Sequence, residues 1–238
     1  MMELEDQPWF PALLRNFQTD HIGHIVARWR VYDPFIAHLG SIRPARLPLV
    51  DLCSGSGEPA ITVFNHSGCF AHLTLTDKYP RTAFVDSELI VYDHRSVDAR
   101  TIPIEAGSSY SLFNAFHHFT DAEKRRLVRR LSEESGGAYI VEILEPSVAC
   151  YFKVLLATTI GTIVLAPFVK PFSVFRIFFT WILPVNVLTI TWDGLVSVSR
   201  SRSVRHYRRL LKDHAGRVGV MRLRHRWFPL VLIHIPAP

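Results

Sequence analysis

Residues 50–59, VDLCSGSGEP, join a short apolar run to the start of a predicted helix. The run, LPLVDL at 47–52, is typical of a buried strand, and residues 60–65 begin the helix that follows. Gly55 and Gly57 let the backbone turn tightly and approach a ligand, because neither carries a side chain. Amides at the helix start can then face a polar or anionic group. The stretch therefore predicts a ligand-binding turn after the first strand of an α/β sheet.

The rest of the chain repeats this alternation of strands and helices. Further strand patterns lie at 72–76, 89–92, 109–115, 138–144, 218–224 and 229–236. A helix that Thr120 or Asp121 would cap runs to about Ser132, with its basic residues on the solvated face. Such alternation favours a parallel sheet covered by helices on both faces. We therefore predict an α/β fold with a Rossmann-like, seven-stranded, mostly parallel sheet.

Length and composition fit a single domain. The chain has 238 residues, of which 48% are hydrophobic, enough for a full core. We divide it into an N-terminal helical cap, a cofactor-binding core, an apolar helical insertion after the fifth strand, and a C-terminal part with a helix and the final strands. These four parts are residues 1–46, 47–147, 148–192 and 193–238.

Cysteine usage and the amino end indicate the compartment. The three cysteines, Cys53, Cys69 and Cys150, show neither a metal-ligand spacing nor a disulfide framework. The acidic start, MMELED, has no apolar core and does not resemble a signal peptide. We therefore expect a cytoplasmic protein.

Positive charge is concentrated near the carboxyl end. The net charge is +6, and residues 200–226 hold ten Lys and Arg against one acid, Asp213. This asymmetry predicts an anionic neighbour, which is a membrane, a phosphate-bearing substrate or a nucleic acid. Nucleic acid is the least favoured, because only Tyr207 and Trp227 offer stacking surfaces in this segment.

An acidic residue follows the glycine turn, at the end of the next predicted strand. Asp77 comes twenty residues after Gly57, at the end of the second predicted strand. A carboxylate in that position can accept hydrogen bonds from two ribose hydroxyls.

Together these features resemble the class I S-adenosylmethionine-dependent methyltransferases. The family's first motif is D-x-G-x-G-x-G, which Asp51, Gly55 and Gly57 match while Cys53 replaces the first glycine. Asp77 matches the family's ribose-binding acid. Asp98-Ala99 and the stretch 111–119, SLFNAFHHF, resemble its adenine-contacting pair and its fourth motif. The resemblance covers about 49–146 and implies S-adenosyl-L-methionine as cofactor. The residues it implies for that site are Asp51, Cys53, Ser54, Gly55, Gly57, Asp77, Lys78, Asp98, Ala99 and Asn114.

This resemblance implies direct displacement at a sulfonium methyl, with nucleophile and methyl held in line about 3 Å apart. His117 and His118 are the candidate catalytic residues, because imidazole titrates near neutrality and can accept a proton. We expect no metal, since adjacent histidines do not easily share one ion and no acid lies near them in sequence. The methylated atom, O, N, S or C, stays open.

Three polar residues after the insertion are candidates for substrate binding at the pocket mouth: Asp193, Ser197 and Arg200. A structural interpretation competes and is the one we favour. In it, Asp193-Gly194 is a turn that leads into a strand.

Two other functions compete with methyl transfer. Gly55, Gly57 and Ala60 also fit the G-x-G-x-x-A pattern of an NAD(P)-dependent oxidoreductase. Asp51 before the turn and the NAFHHF stretch weigh against it, because neither has a role in that pattern. A non-catalytic, membrane-associated binding protein is the other alternative.

The apolar insertion indicates the chemical class of the substrate or partner. Residues 154–169 and 177–192 are each sixteen residues long and uncharged, and Pro167 and Pro184 interrupt them. A spanning helix needs about twenty residues, so we do not expect full spanning. The insertion is then a cap over a hydrophobic pocket, a peripheral contact with the inner face of a membrane, or a set of buried helices or an oligomer interface. We expect a small substrate that is hydrophobic or membrane-associated.

Overall fold

The computed structural model describes residues 2–81 and 86–237. Its seven strands are β1 Leu49–Leu52, β2 Leu73–Asp77, β3 Ile90–Ser96, β4 Ser109–Phe113, β5 Ala138–Glu142, β6 Gly219–Leu223 and β7 Leu230–Ile235. They form one sheet in the order β3-β2-β1-β4-β5-β7-β6. The first five strands are parallel, and β7 runs antiparallel to both β5 and β6. The predicted seven-stranded, mostly parallel sheet is therefore confirmed.

Helices cover both faces of this sheet. They are α1 Ala12–Arg28, α2 Asp33–Ile42, α3 Ala60–Ser67, α4 Asp121–Glu134 and α9 Val204–Leu210, besides those of the insertion. One apolar core joins α2 and α3 to one face, through residues such as Phe35 and Val63. A second core joins α4 and α9 to the other face, through residues such as Leu127 and Tyr207. Each core buries its apolar side chains against the sheet, and this leaves the carboxyl ends of the parallel strands open.

Local sequence explains where α4 begins. The Thr120 side chain accepts a hydrogen bond from the Glu123 amide, while the Glu123 carboxylate accepts one from the Thr120 amide. This reciprocal pair satisfies two amides that the first helical turn leaves without partners. The prediction that Thr120 or Asp121 caps this helix is confirmed, with Thr120 as the cap.

The insertion between β5 and β6 is mostly helical. It contains α5 Val148–Thr158, α6 Ile160–Leu165, α7 Val174–Ile177, a π-helical turn Phe178–Ile182 and α8 Val185–Arg200. By length and composition, Val148–Leu165 is able to cross a membrane, and so is the pair Val174–Ile182 and Val185–Arg200 if its 83° bend is disregarded. Eighteen helical residues extend only about 27 Å, less than the roughly 30 Å of a hydrocarbon core.

One prediction for this region is wrong. We expected Asp193-Gly194 to form a turn before a strand, but both residues lie inside α8. A Cβ on Gly194 would approach Thr158 Cγ2 and Val154 Cγ1 to 2.9 Å. The glycine therefore permits α5 and α8 to pack closely, and this tertiary contact outweighs the local preference of Asp-Gly for a turn.

The insertion is joined to α1 by buried polar contacts. Arg176 of α7 is 2% exposed, and its Nη2 donates to Asp20 Oδ2 at 2.5 Å. The other oxygen of Asp20 accepts from Arg81 Nη1, also at 2.5 Å. In addition, His21 Nε2 lies 3.1 Å from the Ala157 carbonyl and 3.2 Å from Thr162 Oγ1. The insertion is thus fixed to a helix of the N-terminal part.

Candidate active site

A cavity of about 380 Å³ opens at the carboxyl ends of the parallel strands. This is where open α/β sheets bind their ligands. Nine of the predicted site residues line it: Cys53, Ser54, Gly55, Asp77, Lys78, Asp98, Ala99, Asn114 and His118. Six others do not: Asp51, Gly57, His117, Asp193, Ser197 and Arg200. The structure therefore brings together residues from four successive strand ends.

The turn after β1 is held against the end of β2 by a carboxylate. Asp77 Oδ2 accepts a hydrogen bond from the Gly55 amide at 2.8 Å, and Oδ1 accepts one from the Tyr79 amide at 2.7 Å. Burial raises the pKa of Asp77. Each carboxylate oxygen can accept more than one hydrogen bond, so Asp77 keeps acceptor capacity toward the cavity.

The turn adopts backbone conformations that favour glycine. The φ angles of Gly55 and Gly57 are +52° and +91°. Cys53 also has a positive φ, of +58°, although it carries a side chain. A non-glycine residue in this left-handed region is destabilised by about 1–2 kcal/mol. Cys53 thus adopts the conformation that the family's first glycine would adopt without this strain.

Two motif residues serve the scaffold instead of the cavity. Asp51 is 2% exposed, accepts a 2.6 Å hydrogen bond from Ser111 Oγ, and has a pKa that burial raises to about 7. A Cβ on Gly57 would lie 2.7 Å from Ile61 Cδ1 and 2.9 Å from Leu75 Cδ1. Gly57 therefore lets the turn pack against α3 and β2, and the prediction that it contacts the ligand does not match its position.

The end of β4, the strand beside β1, carries an acceptor without a donor. Asn114 follows β4 with a φ of +49°. Its Oδ1 is buried and has no hydrogen-bond partner among the described residues. Buried polar atoms are nearly always satisfied, so this oxygen indicates a ligand that brings a donor into the cavity.

The two histidines have different surroundings. Both belong to a 3-10 turn, Phe116–His118, that follows β4. His117 is 2% exposed, and its Nδ1 donates to Glu142 Oε2 at 2.7 Å, away from the cavity. The predicted proton transfer at His117 therefore lacks access to a substrate.

His118 lines the cavity but contacts acids of the N-terminal segment. Its Nδ1 lies 2.5 Å from Glu3 Oε2 and 3.0 Å from Asp6 Oδ2. Burial alone would lower the pKa of His118, but the hydrogen bonds to Asp6 and Glu3 raise it well above its usual value. In this arrangement the ring holds a proton and does not accept one. A catalytic role for either histidine stays a prediction.

The three predicted substrate-binding residues are structural in this arrangement. The Asp193 carboxylate accepts hydrogen bonds from the amides of Leu4 and Glu5, at 2.6 and 3.0 Å. Ser197 Oγ donates to the Asp193 carbonyl at 2.8 Å. Arg200 Nη2 donates to the His118 carbonyl at 2.6 Å. These side chains of α8 hold the N-terminal segment and the histidine turn in place, which is why they do not reach the pocket mouth.

Sequence reasoning missed the contribution of the amino end. The cavity is also lined by residues of the N-terminal segment and α1, among them Glu5, Asp6, Arg15, Asn16 and Thr19. The acidic start of the chain was visible, but no local pattern connects it with histidines more than a hundred residues away. Only the packing of the N-terminal segment against α8 brings them together.

The sequence matches no protein-family model and no curated protein. Its fold does match solved structures. Human N-acetylserotonin methyltransferase in complex with SAM aligns over 94% of this chain and 56% of its own length, with a TM-score of 0.59 and 16% identity. An O-methyltransferase from neocarzinostatin biosynthesis, in complex with S-adenosyl-L-homocysteine and 1,4-dihydroxy-2-naphthoic acid, aligns over 91% of this chain and 56% of its own, with a TM-score of 0.52 and 14% identity.

This chain spans a little over half the length of each of these two proteins. At such low identity, the likeness concerns the path of the chain. The strand order and the antiparallel β7 agree with it. The chain therefore has the fold of the class I S-adenosylmethionine-dependent methyltransferases.

Proposed function

We propose that this chain transfers a methyl group from S-adenosylmethionine to a small hydrophobic molecule at a membrane surface. The observation that carries the first half is the Asp77 carboxylate bonded to the Gly55 amide at the rim of the cavity. A tight turn and a carboxylate on the next strand are what a nucleoside ligand requires.

The cavity residues fit such a cofactor, which would supply an electrophilic methyl on sulfur. Asp77 would accept hydrogen bonds from the ribose hydroxyls, and Asp98 and Ala99 would contact the adenine. The unpartnered Oδ1 of Asn114 would accept a hydrogen bond from the cofactor's amino group. Phe113 and Phe119 line the same cavity and would exclude water from the reacting atoms.

The sheet order supports methyl transfer over hydride transfer. The usual dinucleotide-binding sheet has six parallel strands in the order 3-2-1-4-5-6. Here an antiparallel β7 lies between β5 and β6. Gly57, the second glycine of the alternative G-x-G-x-x-A pattern, does not line the cavity.

Ligand binding to the full chain tests this half of the proposal. Native mass spectrometry of the purified protein should find a retained cofactor or its product. In calorimetry and thermal shift measurements, S-adenosylhomocysteine should bind and stabilise the protein, and NAD⁺ should do neither. Stabilisation by NAD⁺ instead would establish the oxidoreductase alternative, and the absence of both effects would leave a binding protein without this chemistry.

The second half rests on the surface of the insertion. Among the described residues, twenty-six large apolar side chains are exposed, and eighteen of them belong to residues 148–192, less than a fifth of the chain. We call this set the apolar surface. Its most exposed members include Val148, Phe168, Val174, Phe175 and Ile182. Soluble monomers rarely expose so many contiguous apolar groups, which mark interaction sites.

Charge and aromatic residues near the apolar surface favour lipid as its partner. Trp181 and Trp192 are 53% and 45% exposed, and each donates its indole N–H to a backbone carbonyl. Tryptophan is enriched at membrane interfaces, where one end of the ring is apolar and the other is wet. Lys170 is exposed beside this surface, and Lys153 donates to the Trp227 carbonyl at 2.6 Å. Helices that lie in the plane of the interface with basic flanks have this composition.

The insertion also contacts α1, which lines the cavity. Arg176 reaches the cavity wall through Asp20 and Arg81, and Thr19 and Ile22 of α1 are part of that wall. A molecule dissolved in the bilayer would therefore meet the protein close to the site. The neocarzinostatin enzyme of similar fold binds 1,4-dihydroxy-2-naphthoic acid, which is a small aromatic molecule.

Sedimentation with vesicles of phosphatidylcholine and phosphatidylglycerol tests membrane contact. Full burial of one large apolar side chain contributes about 1.5–3 kcal/mol, so the double variant Phe175→Asp and Ile182→Asp should reduce partitioning by at least about 100-fold. Leu89→Asp, which alters an exposed residue at the opposite edge of the sheet, is the matched control and should sediment like the wild type. Equal sedimentation of all three proteins would disprove membrane contact through the apolar surface.

A further inference from the structure

The histidine turn and the N-terminal segment place three metal-type ligands together. Glu3 Oε1 lies 3.9 Å from His117 Nε2, and Glu3 Oε2 lies 2.5 Å from His118 Nδ1. Ligand atoms of these three residues all lie within 4.8 Å of one another. We propose that Glu3, His117 and His118 bind a divalent transition-metal ion of the Zn²⁺ type. This proposal does not rest on methyl transfer, since its test measures metal binding alone.

The adjacent histidines converge in spite of their positions in sequence. In the 3-10 turn Phe116–His118 the two rings are 4.5 Å apart and tilted by 31°. The turn thereby directs Nε2 of one ring and Nδ1 of the other toward the same carboxylate. The sequence-based argument against a shared ion assumed that no acid was near, and Glu3 removes that assumption.

Too few protons are available for the carboxylate oxygens in this cluster. His118 Nδ1 carries at most one proton, yet it lies within 3.1 Å of one Glu3 oxygen and both Asp6 oxygens. Glu3 is 0% exposed, and its Oε1 has no hydrogen-bond partner among the described residues. A buried carboxylate oxygen without a donor is costly, and an ion can satisfy several oxygens where one proton cannot.

His117 is oriented as metal-bound histidines usually are. Its Nδ1 donates to Glu142 Oε2 at 2.7 Å, and Glu142 Oε1 accepts from the Phe116 amide, also at 2.7 Å. The proton on Nδ1 leaves Nε2 with a free lone pair that faces Glu3. Carboxylate–histidine pairs of this kind fix the tautomer and raise the basicity of metal ligands.

The charges of the cluster also favour a cation. Three carboxylates, those of Glu3, Asp6 and Glu142, surround the two rings. Among the described residues that contact the cluster, only Arg200 is permanently positive. Its Nη1 lies 3.8 Å from Glu3 Oε2 and 3.4 Å from Asp6 Oδ2. Two imidazoles with one or two carboxylates suit Zn²⁺, Co²⁺ or Fe²⁺. Asp6 is half-exposed toward the cavity and would be the exchangeable fourth ligand.

Metal titration of the full chain tests the site. After dialysis against a chelator, the protein should bind about one equivalent of Zn²⁺ in calorimetry, and Co²⁺ should give a visible absorption band that Zn²⁺ removes. Glu3→Gln and His117→Gln should weaken binding by more than 100-fold. Glu142→Gln, which alters the partner of His117 and of the Phe116 amide, should weaken it by about 10- to 100-fold.

His72→Gln is the matched control, because His72 is an exposed histidine outside the cluster, and it should bind like the wild type. Circular dichroism should show that each variant is folded. The Co²⁺ absorption band of the wild type tests the site without any substitution. A wild type that binds neither ion, or binding that Glu3→Gln and His117→Gln leave unchanged, would overturn the proposal.

Discussion

Replacing Asp77 with alanine should abolish most of the affinity for S-adenosylhomocysteine. A hydrogen bond to a charged group contributes about 1.5–3 kcal/mol, so two ribose hydroxyls donating to this carboxylate contribute about 3–6 kcal/mol. The two backbone bonds, at 2.8 Å from Gly55 and 2.7 Å from Tyr79, are present with and without ligand and therefore do not enter the difference. At the lower end, Kd should rise by at least roughly 100-fold.

Calorimetry measures this change, and Asp93→Ala is the control. Asp93 lies on the neighbouring strand β3 in an exposed ion pair with Arg95 and does not line the cavity. Its removal should leave Kd unchanged. Loss of the Gly55 bond also loosens the turn, so chemical denaturation must first show that the Asp77 variant is folded. A folded Asp77→Ala protein whose Kd stays within about threefold of the wild type would refute the ribose assignment.

Three further predictions concern the turn and the strand that precedes it. Cys53→Gly removes a left-handed non-glycine residue, so Tm in calorimetric unfolding should rise by about 2 °C. A fall in Tm would show that the contacts of the Cys53 side chain stabilise the protein by more than its backbone strain destabilises it. Gly57→Ala adds a methyl group 2.7 Å from Ile61 at a φ of +91°, and should lower the unfolding free energy by about 2–4 kcal/mol in urea. Burial raises the pKa of Asp51 to about 7, above the value near 4 of an unfolded aspartate. Stability should therefore fall by about 4 kcal/mol as pH rises from 4 to 7, and Asp51→Asn should remove this slope; parallel curves for both proteins would contradict the assignment.

The parallel part of the fold was predictable because its signals are local. The apolar runs at 47–52 and 138–144 and the turn between Cys53 and Gly57 specify strand, turn and helix within a few residues. The same stretch predicted where a ligand would bind, since strand ends converge in every open α/β sheet. The third strand was placed too early, at 89–92, because its second half, ending at Ser96, is exposed and polar.

The remaining features depend on contacts that no local pattern contains. Gly194 is helical because α5 approaches it, and Gly57 supports packing although its motif suggests a ligand contact. Glu3 lies beside His118 in a segment whose Leu4 and Glu5 amides bind Asp193 of α8. In each case the deciding neighbour is distant in sequence.

Asp20 connects the insertion to the wall of the cavity. Its two oxygens each bind one guanidinium, that of Arg176 in the insertion and that of Arg81 in the cavity wall. A truncated protein without α7 would lose the Arg176 bond, while Arg81 would still balance the charge of Asp20. Exchanging this helical region between proteins of this fold should require Asp20 and both arginines to be exchanged with it, and natural variants should gain or lose the three residues together.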